Sequence, residues 1–106
     1  MKEEFIKAIH DKKKVQLTFF SKEDAAPLSR KCAPMDFGPS RRAKDKSDRF
    51  HLWDFESDQG RHVLSILPGQ VKSIEVLSED FDPATFITWS TTTSPWFVPR
   101  DWGAFS

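Results

Sequence analysis

The apolar positions of this chain change period once, near residue 14. In KEEFIKAIHDKKK, Phe5, Ile6 and Ile9 recur at helical spacing with Ala8 beside them, Glu3 and Glu4 lie in the first turn, and Lys12, Lys13 and Lys14 lie in the last. That charge order complements a helix dipole, and the pattern predicts an amphipathic helix from about residue 3 to 12. Beyond it the period is two. VQLTFF sets Val15, Leu17 and Phe19 against Gln16 and Thr18, a half-buried strand. SKEDAAPLS reads as a turn or loop, and RKCAPMDF as a second strand with Cys32 on one face. Pro34 confines that strand to an edge or a strand end, because proline donates nothing to a ladder. RFHLWDF and RHVLSIL flank the turn ESDQG and predict a hairpin over residues 49–67. Pro68-Gly69 marks a tight turn or bulge, and QVKSIEVL a further strand. In FDPATF, Asp82 at the N-cap and Pro83 at the first helical position predict one short helical turn. The predicted core is Val15, Leu17, Phe19, Leu52, Leu64, Ile66, Val71 and Ile74.

Two stretches break the pattern. GPSRRAKDKSD, residues 38–48, has almost no apolar side chain to anchor it and is expected to be the most mobile internal segment. The last fourteen residues, TSPWFVPRDWGAFS, do the opposite: they concentrate Trp96, Phe97, Trp102 and Phe105 beside Pro95, Pro99 and Gly103. Such an end either folds back to close its own core or is a sticky segment for another surface. Four exposed rings would make a larger apolar patch than soluble monomers normally carry. The expectation is that PWFVPRDW runs extended across the domain, with Trp96 or Trp102 against the 49–55 strand or the N-terminal helix. Reaching into a second copy is the rival.

The chain has 106 residues, enough for one modest core, and its ten Phe and four Trp make up for few aliphatics. Helix, about five short strands and an aromatic tail predict a mainly β (α+β) fold. The expected form is an N-terminal helix followed by a small, strongly bent antiparallel barrel, with one domain over residues 1–90 and a tail over 91–106 packing on the domain or on a partner.

Sixteen basic and sixteen acidic residues cancel, so no global field draws the protein to nucleic acid or membrane. The balance is local. Arg30, Lys31, Arg41, Arg42, Lys44, Lys46 and Arg49 stand against Asp36, Asp45 and Asp48 in residues 30–49, whereas 75–106 carry five acids against Arg100 alone. This segregation can form a basic surface, or two solvated loops of opposite sign. The one cysteine, Cys32, allows no intramolecular disulfide. No stretch is long and apolar enough to span a membrane, the N-terminus has no signal-peptide pattern, and a cytoplasmic location is the simplest expectation.

Candidate chemistry is sparse. His51 and His62 fall on the two arms of the hairpin and, with Cys32 or Asp54, could face a metal, but the spacing matches no structural zinc pattern, and neither a metal nor a cofactor is expected. A lone strand cysteine is more often a small core residue, no nucleophile elbow occurs, and the four glycines are isolated, so no enzyme is expected. In RFHLWDF, alternation puts Phe50, Leu52 and Asp54 on one face and Arg49, His51, Trp53 and Phe55 on the other. That second face could stack and hydrogen-bond a base or planar ligand, or Trp53 and Phe55 could pack beneath the tail, which is the simpler reading.

This order of elements resembles the WYL domain, a small Sm-like/SH3-like β-barrel found mainly in bacterial and phage regulators. Ala8-Ile9 matches the family's helix, and Val15, Leu17 and Phe19 its first strand. Arg30, Cys32 and Pro34 match its Arg-x-Val-x-Pro segment, and Phe50-His51-Leu52 aligns with the Trp-Tyr-Leu strand. GRHVLSI with Arg61, then QVKSIEVL with Phe81 and Pro83, complete a match over roughly residues 5–86. Phe50 and His51 replace the name-giving Trp and Tyr, and the family's second arginine falls on Gln70. Members usually carry a preceding winged-helix domain, and the resemblance covers the barrel alone. It implies a ligand-sensing or nucleic-acid-binding regulatory module, meeting single-stranded nucleic acid or a nucleotide-like ligand through Arg30, His51 and Arg61. Arg41, Arg42, Lys44 and Arg49 join them from charge alone. The alternative on the same fold is a protein-interaction module using exposed strand edges and the tail residues Trp96, Phe97 and Trp102, with a protein partner or a second copy.

Overall fold

The structure is a computed structural model, described for residues 1–41, 43–57 and 62–106. Helix α1 (Lys2–Asp11) comes first, and Lys12 ends it in the left-handed region, its N–H returning to the carbonyls of Ala8 and Ile9. Strands β1 (Lys13–Ser21), β2 (Ala26–Pro39), β3 (Asp48–Asp54), β4 (Val63–Ile66) and β5 (Val71–Asp80) follow. They form one antiparallel sheet in the order β4-β3-β2-β1-β5. The sheet is strongly bent but does not close, because β4 and β5 pair with each other nowhere; a 3₁₀ turn at Pro68–Gln70 links these two edges.

β2 causes the bend. Its first half, Ala26 to Cys32, pairs with β1, and its second half, Cys32 to Pro39, pairs with β3. Pro34 lies opposite Leu52 and Asp36 opposite His51, so Met35 is the extra residue of a bulge. The strand is longer than RKCAPMDF at both ends. Ala26–Ser29, expected in a loop, pair with Thr18–Ser21, and Gly38-Pro39, expected in the loose charged segment, pair with Arg49 and Asp48.

The core lies between α1 and the inner face of the bent sheet. Phe5, Ala8 and Ile9 meet Val15, Leu17, Cys32, Met35, Phe50 and Leu52, closed off by Phe81, Phe86, Ile87 and Trp102. Five of the eight expected core residues are buried; Leu64, Val71 and Ile74 lie half-buried at its margin, because β4 and β5 are the edges. Asp82 caps the turn Pro83–Thr85 through the Ala84 N–H, as its sequence position predicts. Among the described residues, no helix is long and apolar enough to cross a membrane.

Candidate ligand-binding cleft

The outward face of β3 does not lie bare. His51 points away from the core and is held at both ring nitrogens: Nε2 lies 2.8 Å from the Gly38 carbonyl and Nδ1 2.8 Å from Ser65 Oγ. A carbonyl can only accept, so Nε2 carries the hydrogen, and the Ser65 hydroxyl serves Nδ1. Trp53 stacks on His62 at 4.7 Å and on Phe86 at 5.2 Å, while Phe55 meets Phe86 edge-on at 6.1 Å. The cover over Trp53 and Phe55 is therefore Phe86, which follows β5, and His62, rather than the rings of the tail. His62 Nδ1 donates to the Asp54 carbonyl at 2.8 Å, which leaves its Nε2 as the acceptor of the neutral ring.

The chain after Ile87 crosses above this face and leaves a gap. The result is a cleft of about 830 Å³, with His51, Trp53, His62 and Ser65 on the sheet side and Trp89, Trp96 and Phe97 on the other. Trp89 and Trp96 meet edge to face at 5.9 Å. Arg41 stands at the mouth, where its Nη2 donates to the Pro95 carbonyl at 2.6 Å and its guanidinium lies 5.0 Å from the Phe97 ring centroid. Gly38 permits this approach: a Cβ there would stand 2.7 Å from the Phe97 ring.

Asp36, on the β2 bulge, ties the crossing segment down. Its carboxylate accepts the backbone N–H of Phe97 at 3.0 Å and of Val98 at 2.9 Å, and pairs with Arg100 Nη2 at 3.3 Å. The Arg100 side chain is fully enclosed. It donates to the Met35 and Val98 carbonyls and lies between the rings of Trp96 at 4.1 Å and Trp102 at 4.4 Å. Burial pulls the Arg100 pKa down to about 10, partly offset by the Asp36 charge, so the guanidinium remains charged at neutral pH. Trp102 is 4% exposed and donates its indole N–H to the Ile9 carbonyl at 2.9 Å, docking the tail on the end of α1.

The cleft brings together His51, Arg41, Trp96 and Phe97 of the residues singled out from the sequence. It does not include Arg30, whose Nε faces Asp54 Oδ2 at 3.5 Å beyond the other end of β3. Lys44 is exposed in the loop, and Arg49 is half-buried with its Nε enclosed and without a hydrogen bond. Trp102 is core. Arg42 and Arg61 lie outside the described residues. Sequence reasoning did not single out Trp89, Asp36 or Arg100 as site residues. Asp36 and Arg100 are 64 positions apart and no periodicity links them. Cys32 is fully buried; burial first, then the charges of Asp54 and Glu56, push its thiol pKa far up, which removes it as a nucleophile at neutral pH. Among the described residues, no three His, Cys, Asp or Glu side chains are grouped to hold a metal ion.

No family model matches the chain, and no curated protein matches it in sequence. In structure it is similar to part of proteasome accessory factor B/C (PafBC) of Arthrobacter aurescens, with a TM-score of 0.55 at 17% identity. The match covers 92% of this chain and 13% of that one. The likeness supports a WYL-like fold.

Proposed function

We propose that this chain is a regulatory ligand-binding module whose cleft takes a small, planar, anionic molecule of the nucleotide type, without turning it over. The observation that carries this reading is the cleft itself. Its volume of about 830 Å³ suits a small-molecule site. Trp89 and Trp96 offer aromatic surface to a base, Arg41 offers a guanidinium to a phosphate, and Ser40, Ser65 and Ser94 supply hydroxyls. The WYL-like fold agrees with a regulatory role, and Arg41 is the described base of residues 30–49 that lines the cleft. The same face could receive one or two nucleotides of a single strand.

Titration with adenosine monophosphate and with short single-stranded DNA and RNA, followed by tryptophan fluorescence at two salt concentrations, tests this. Binding should weaken as salt rises. Arg41→Ala should cost roughly tenfold in affinity, the order of a charge-assisted hydrogen bond, and Trp89→Ala at least about fivefold. Arg30→Ala should change little. Loss of binding on Arg30→Ala but not on Arg41→Ala would move the site to the arginine that the family resemblance implies. No binding to any of these probes would favour the second reading, a protein-interaction module. That reading draws support from the two open sheet edges and the exposed Val63, Val76 and Phe97.

A further inference from the structure

The two walls of the cleft differ in how they are held. The sheet wall, β3 and β4, is part of the ladder. The other wall is a ten-residue crossing, 88–97, flanked by buried anchors, Phe86 and Ile87 before it and Val98 and Trp102 after it, with Thr91 buried midway. Between those anchors Thr88, Ser90 and 92–95 are exposed, while Trp89 and Trp96 turn into the cleft. One carboxylate joins the walls. Asp36 lines the cleft from the β2 bulge, and it receives the N–H groups of Phe97 and Val98 and the Arg100 guanidinium. Trp96 takes part in both arrangements: it lines the cleft and it packs on Arg100.

We infer that filling the cleft and docking the C-terminal segment are a single coupled equilibrium, with Asp36 as the positioning residue. This deepens the reading of the cleft as a ligand site and rests on it. With Arg100 withdrawn from between Trp96 and Trp102, and Phe97 and Val98 freed from Asp36, the outer wall keeps its tie at Arg41–Pro95 but loses the one at its C-terminal end, and the cleft is deformed. A ligand that needs that wall binds only the docked form, so it draws the tail down. By linkage, whatever loosens the tail weakens the ligand in proportion to the docked fraction that is lost. The end of the chain thereby becomes a readout of occupancy: with the cleft empty the docked segment opens more often, and a filled cleft holds it closed.

Arg100 supplies its own assay. Trypsin must take the guanidinium into its specificity pocket, so cleavage at Arg100–Asp101 requires the side chain to leave its aromatic sandwich. The wild-type chain is digested with and without saturating adenosine monophosphate, and the Arg100 and Lys22 products are followed by mass spectrometry. Lys22 lies in the exposed turn between β1 and β2 and serves as the internal control. The expected result is a fall of at least about fivefold in cleavage at Arg100, within the usual range of coupling, with cleavage at Lys22 unchanged. Asp36→Asn should speed Arg100 cleavage in the empty protein, and saturating nucleotide should slow it again; the affinity falls by the docked fraction that the variant loses. Because the main comparison uses the wild type, it stands even where the variant fails to fold. Binding of the nucleotide with unchanged cleavage at Arg100 overturns the coupling and leaves the ligand site intact. Absence of binding overturns both.

Discussion

At the scale of single residues, the pair Asp36–Arg100 concentrates the strongest demands in the molecule. A buried guanidinium is stable only where its donors are matched, and Arg100 has the carbonyls of Met35 and Val98, one carboxylate oxygen and two ring faces. The two partners are not equivalent. Removing Asp36 takes the carboxylate from Arg100 and from the backbone N–H groups of Phe37, Phe97 and Val98 together, whereas removing Arg100 leaves Asp36 with those N–H groups. Asp36→Ala should therefore cost about 3–5 kcal/mol, the range for stranding one member of a buried pair. Arg100→Met, which keeps apolar volume between the two indoles, should cost clearly less. Urea denaturation of both variants checks the order, and a larger loss for Arg100→Met would show that ring packing rather than the carboxylate holds the tail. Gly38 makes a second demand of this kind. A methyl group there meets the Cβ, Cγ and Cδ2 of Phe97, atoms near the root of that side chain, so a simple rotation does not clear it. Gly38→Ala should destabilise by about 1–3 kcal/mol, as overpacking does. Adding Phe97→Ala should recover most of that loss, and additive losses in the double-mutant cycle would place the strain elsewhere.

At the scale of elements, what could be read from the sequence depended on whether a local period carried the information. Helix α1, β1, β3, β5 and the Asp82–Pro83 turn each announce themselves within about ten residues, through apolar spacing or cap chemistry. β2 does not. Pro27, Pro34 and Pro39 interrupt it and each suggests an ending. The strand survives because its two halves pair with different neighbours and its bulge sits beside Pro34, where a missing donor does least harm. The candidate cleft was legible on its sheet side, where the alternation of RFHLWDF turned His51 and Trp53 outward, and in part on the other, where the aromatic tail pointed to Trp96 and Phe97. Trp89, Asp36 and Arg100 could not be read, because they are placed by contacts with residues far away in sequence, and the arginine of the family motif, Arg30, is taken up by Asp54. Charge counting had the same blind spot: it took Arg100 as a lone base among acids and gave Asp36 no role, when each neutralises the other inside the fold.

At the scale of the whole molecule, the aromatic end of the chain is part of the core that α1 and the open sheet cannot complete alone. Trp102 packs on Phe81 at 5.5 Å and on Trp96 at 5.6 Å, donates its indole N–H to the Ile9 carbonyl of α1, and joins Phe86 and Ile87 in the core. Burial of one such ring stabilises by about 1.5–3 kcal/mol, and a domain of this size has only about 5–15 kcal/mol in all. Deleting residues 93–106 removes Trp96, Val98, Arg100 and Trp102 together and leaves Asp36 without the partners it has in the tail. The truncated chain should lose more than about 10 °C in thermal midpoint at the few degrees per kcal/mol expected for a domain of this length, with no change in oligomeric state by sedimentation. Cys32 reports the same event from inside: its buried thiol should resist a disulfide reagent in the native full-length chain and become reactive, at neutral pH, in the truncated one. A truncated chain that keeps its melting temperature and its protected thiol would show that helix and sheet are a complete core without the tail. The Trp96–Arg100–Trp102 stack would then be free to serve a partner. Loss of a dimer on truncation would instead assign those contacts to an exchange between two copies.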